Sequence, residues 1–74
     1  MNRGPELTDE ERRGFAAKLA SLRIEHRDLD DVIMKLELAP DRDELQIRRI
    51  KKRKLLLKDQ IMWIERQLDP DSLA

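Results

Sequence analysis

Pro40 separates two runs of apolar residues that keep the same spacing, and this arrangement constrains the fold more than any other feature of the chain. Before it, Phe15, Leu19, Leu22, His26, Leu29, Ile33 and Leu36 follow at intervals of four, three, four, three, four and three residues. After it, Ile47, Ile50, Lys54, Leu57, Ile61, Ile64 and Leu68 alternate threes and fours in the same way. Such spacing puts all members of a run on one stripe of an α-helix, which is the pattern of a coiled-coil seam. Pro40 cannot donate into a helical ladder and pushes Ala39 out of the α region, so the first helix must stop near Leu38. Roughly three residues are left to connect the helices, and so short a connection folds the second back beside the first.

The expected fold is therefore all-α: an antiparallel helical hairpin of two long, coiled-coil-like helices, which dimerisation can turn into a four-helix bundle. Thr8 and Glu11 have the spacing of a capping box, and Asp9, Glu10 and Glu11 suit the positive end of a helix dipole. These signals start helix 1 at about 9 and run it to 38, with a turn at 39–41. Asp41 and Glu44 repeat the cap spacing, which places helix 2 at about 42–68, before Pro70. Residues 1–7, with Gly4 and Pro5, read as a loose leader, and 70–74 as a frayed end. Gly14, at a helical cost of about 1 kcal/mol relative to alanine, leaves the continuity of helix 1 open. Folding the seams about the turn pairs Leu36 with Ile47, Leu29 with Lys54, His26 with Leu57 and Phe15 with Leu68. The same register brings together three flanking pairs of opposite charge, Glu37 with Lys51, Asp30 with Lys58 and Arg23 with Glu65.

Composition removes several classes of function. The chain of 74 residues has no cysteine and one histidine, which excludes disulfides, thiol catalysis and cysteine-based zinc sites. Sixteen basic and sixteen acidic residues leave no net charge to attract nucleic acid or an anionic membrane globally. No apolar run approaches the roughly 18 residues of a membrane span, and the start lacks the apolar core of a signal peptide. A cytoplasmic protein is expected. Asp28, Asp30 and Asp31 cluster, but a two-helix rod offers no desolvated site where carboxylates converge, and a helix lacks the loop geometry of a calcium site. No catalytic residue, metal, cofactor or small-molecule substrate is expected.

Two segments, Glu25–Ile33 and Ile50–Ile61, resemble the YdcH-like family of small bacterial proteins. The first contains His26, Leu29, Asp30 and Ile33 in the pattern His-x-x-Leu-Asp-x-x-Ile. In the second, Lys51, Lys52, Lys54, Leu55, Lys58, Asp59 and Ile61 follow Lys-Lys-x-Lys-Leu-x-x-Lys-Asp-x-Ile. The likeness covers roughly 19–64 and implies a small bacterial helical hairpin from a family with no established biochemical activity. The chain departs from the family pattern in its extra N-terminal turns, including Gly14 and Phe15, and in Trp63.

Three groups of residues remain as candidates. Arg48, Arg49, Lys51, Lys52 and Arg53 form a basic run that could hold phosphates of nucleic acid. No aromatic platform is interleaved with it and helix 1 is acidic overall, so a solvated face with cross-arm ion pairs is the favoured reading. His26 and Lys54 are the polar members of the seams, and a device that fixes register, or a proton-sensitive switch, is expected there. Leu55, Leu56, Met62 and Trp63 fall outside the seam on the outer side of helix 2, as Ile24, Val32, Met34 and Leu38 do on helix 1. An unstapled hairpin that leaves these wet is marginal, so they point to self-association or to another protein partner. A non-enzymatic interaction module is the reading preferred, with a small nucleic-acid-associated protein as the alternative.

Overall fold

In the computed structural model, which describes residues 7–69, two helices pack along their length as an antiparallel hairpin. The leader expected at 1–7, apart from Leu7 itself, the frayed end expected at 70–74 and the stop expected at Pro70 lie outside the described residues. Helix α1 spans Asp9–Leu38 and α2 spans Glu44–Leu68, with no strand among the described residues. The rod measures 56 × 21 × 17 Å.

The capping box forms as its spacing requires. Thr8 Oγ1 accepts from the Glu11 backbone N–H at 3.0 Å, and Glu11 Oε1 accepts from the Thr8 N–H at 2.9 Å. Helix α1 is continuous through Gly14. The turn is longer than expected. Five residues, 39–43, connect the helices, and the N-cap of α2 is Asp43, whose carboxylate accepts from the Gln46 N–H at 3.1 Å. Asp41 is spent on the turn that follows Pro40, so α2 starts two residues later than position 42. Arg42 holds this connection by donating to the Glu37 carbonyl and pairing with Glu44 at 2.6 Å.

All fourteen seam residues are buried or half-buried, which confirms both stripes. Leu19, Leu22, Leu57, Ile61 and Ile64 form one continuous core, with Phe15, Leu29 and Leu68 packed against it. Ile33 and Ile47 are buried nearer the turn and stand outside this cluster, beyond the two adjacent layers that hold the half-buried His26 and Lys54. At the open end the Arg12 guanidinium donates to the Leu68 carbonyl at 3.1 Å, satisfying an acceptor that the end of α2 leaves free.

Cross-arm charges report the register. Lys51 meets Glu37 at 2.9 Å and Arg23 meets Glu65 at 2.7 Å, as the paired seams require. The third expected pair is corrected: Asp30 binds Lys54 and not Lys58. Lys54 starts in the seam, and its flexible stem carries the ammonium sideways to the carboxylate flanking the next layer. On the opposite side Arg53 reaches Glu25 at 3.0 Å.

Gly14 is exposed in mid-helix, and a Cβ added there meets nothing within 4 Å. Nothing inside the hairpin therefore requires glycine. In dilute solution Gly14→Ala is expected to stabilise the chain by about 1 kcal/mol, seen as a rise of about 4 to 8 °C in the circular-dichroism melting temperature.

Candidate functional site

The apolar residues outside the seams stay on the surface. Nine large hydrophobic side chains are between 40% and 79% exposed, among them Leu55, Leu56, Met62 and Trp63. Leu45 belongs with them; the spacing does not single it out, because it precedes the first seam residue of α2 and its neighbours three and four residues on are Arg48 and Arg49. The four residues expected to share one outer flank of α2 divide into two. Leu55 and Met62 are seven residues apart on one side, Leu56 and Trp63 on the other. Successive residues of a helix are turned by about 100°, so adjacent leucines such as Leu55 and Leu56 cannot face one partner equally.

On the Trp63 side the hairpin has a concave feature that no spacing rule foretold. An open groove of about 580 Å³ lies between the helices near the open end. Its floor is formed by Phe15, Leu22 and Ile64, Trp63 stands over it, and Glu11 and Lys18 border it on α1. Gly14 lines it too, and its missing side chain keeps that edge low. Phe15 and Trp63 meet edge to face, with ring centroids 5.8 Å apart and planes inclined by 64°. Such a contact contributes about 0.5 to 1.5 kcal/mol beyond the area it buries. The two departures from the YdcH-like pattern, the N-terminal turns and Trp63, thus touch each other.

The basic run is partly consumed within the hairpin. Lys51 and Arg53 are bound by Glu37 and Glu25, and Lys54 by Asp30. Arg48, Arg49 and Lys52 make no ion pair among the described residues. They share the outer face of α2 at spacings of three and four residues. Charge along α2 is divided: residues 44–54 hold six cations and one acid, whereas 55–68 hold Lys58 and Arg66 against Asp59 and Glu65. The exposed Leu55, Leu56, Met62 and Trp63 all lie in the electrically balanced half.

His26, Asp30 and Lys54 meet across two adjacent layers of the seam. Asp30 accepts from Lys54 Nζ, and its other oxygen lies 3.9 Å from His26 Nδ1. The hydrogen bond from Lys54 holds the Asp30 carboxyl below its ordinary range, reinforced by the charges of Lys54 and His26 and opposed by partial desolvation. The hydrogen bond and charge of Lys51 lower Glu37 in the same sense. Both carboxyls are more acidic in the folded chain than in an unfolded one, so their pairs stabilise it at neutral pH. That contribution is lost as pH falls through the ordinary carboxylate range and further. The melting temperature is expected to drop on acidification below about pH 5, less steeply in an Asp30→Asn, Glu37→Gln double variant. Lys54→Leu, which closes the seam with an apolar layer, is expected to raise the melting temperature. The same variant broadens the mass distribution in light scattering, because a polar seam residue restricts register at some cost in stability.

Of the clustered aspartates, Asp30 faces Lys54, while Asp28 and Asp31 are exposed without an ion pair among the described residues. No group of three or more metal-binding side chains occurs among the described residues, and no described helix is long and apolar enough to cross a membrane. A family model described as a protein of unknown function (DUF465) matches residues 19–65. No curated protein and no solved structure matches the chain.

Proposed function

The chain belongs to the DUF465 family, the YdcH-like group its two motif segments resemble, and from that premise we propose that it is a non-enzymatic cytoplasmic module that works by protein association. The observation that carries this reading is the apolar surface left over after the seams are closed. A two-helix chain without staples is marginal on its own, and burying a large side chain contributes about 1.5 to 3 kcal/mol. Association therefore supplies the stability that a single hairpin lacks.

Trp63 is the natural anchor, being large, half-exposed and fixed by Phe15. The phosphate-binding alternative retains Arg48, Arg49 and Lys52, since Lys51 and Arg53 are engaged by acids of α1. Three contacts per chain would give weak and strongly salt-dependent binding.

Light scattering over a wide concentration range tests the association reading. The expected result is a multiple of 8.8 kDa that falls toward the single-chain mass in Trp63→Ala, with helix content retained. A folded monomer at every concentration, in both proteins, counts against it.

A further inference from the structure

Resting on that association reading, we propose that the groove beside Phe15 and Trp63 is filled by a second copy of this chain, laid antiparallel across the same flank so that α1 covers α1 and α2 covers α2. The two flanks of the rod differ in their unpaired charges. On the flank of Leu55 and Met62, the cations Arg13, Arg27, Arg48 and Lys58 stand without an ion pair among the described residues against one such acid, Asp9, and two such faces repel. On the groove flank the charges without an ion pair are mixed: Glu11, Lys18, Asp28 and Lys35 on α1, with Arg49 on α2. This flank is the better suited to meet itself.

Its register follows from α2 and is then tested by α1. Exposed Leu56 and Trp63 sit on the groove flank, seven residues apart in the balanced half of α2. A two-fold axis across the rod between Asp59 and Gln60 sets Leu56 of each copy against Trp63 of the other. In the paired seams Gln60 lies level with Arg23, so the same axis runs α1 over its counterpart within half a residue, about 0.75 Å, of Arg23. Lys18 then faces Asp28 of the second copy, and Glu11 faces Lys35. By symmetry each pair occurs twice. Gly14 faces Val32, an exposed β-branched residue that no seam uses, so the added side chain enters the groove where Gly14 leaves room. Sliding the copies by one heptad in either direction destroys the match: one shift sets Lys18 against Lys35, the other Glu11 against Asp28. The helical cost of Gly14, which nothing inside the hairpin repays, is offset by this close approach.

Disulfide trapping reads the register directly, because the natural chain has no cysteine. In Gly14→Cys, Val32→Cys the two thiols of one chain are about 27 Å apart along α1 and cannot join. The expected result is rapid formation of a covalent dimer at twice 8.8 kDa under mild oxidation, with helix content unchanged. A charge exchange provides a second reading without cysteine. Lys18→Glu alone is expected to weaken association about tenfold, and adding Asp28→Lys to restore it. Two results overturn the proposal. If the natural chain associates but this pair fails to cross-link while Leu55→Cys traps a dimer, the contact lies on the other flank and association itself stands. If the natural chain is a monomer throughout, the association reading fails together with this inference.

Discussion

Two helices lying side by side can bury only the stripe along which they touch, and most properties of this hairpin follow from that limit. The stripe is fully used: fourteen seam positions are buried or half-buried, and Leu57, at 2% exposure, is the most deeply buried of them. Everything apolar beyond it remains in water, because no third element exists among the described residues to cover it. A chain of this length held by one seam has little stability in reserve, which makes its outer surface the natural place to gain more.

Within the seam, the two adjacent layers that hold His26 and Lys54 divide the long apolar core from the buried pair nearer the turn. Lys54 reconciles a charged group with a seam position by packing its stem and sending the ammonium to Asp30. Such an arrangement contributes more to the choice of register than to stability, since exposed or half-exposed pairs contribute little energy each. The other cross-arm pairs act alike. Together they neutralise half of the basic run from inside the molecule, so the charge that a partner meets differs from the charge written in the sequence.

The groove has a different origin from the motif that defines the family. The family match begins at Leu19, whereas Glu11, Gly14, Phe15 and Lys18 precede it and Trp63 falls within it. The first turns of α1 thus extend the hairpin far enough for Phe15 to reach Trp63. The hairpin common to the match is a closed seam with charged flanks, and these turns add to it a concave apolar surface near the open end.

The sequence by itself determined the two helices, their common seam and their antiparallel arrangement, because the three-four spacing, Pro40 and the capping box act through local geometry. It also located eight of the nine exposed large apolar residues, all but Leu45, since any residue outside the seam of a two-helix rod has nowhere to hide. Tertiary structure decided what depends on side-chain reach across the hairpin. Asp30 went to Lys54 and not Lys58 because a flexible stem in the seam could bend to it. Asp43 and not Asp41 capped α2 because Pro40 needed the earlier residue for its turn. Leu55 and Met62 parted from Leu56 and Trp63, and Phe15 met Trp63 over a groove, because adjacent positions on a helix point about 100° apart and only the packed pair shows which flank each one joins.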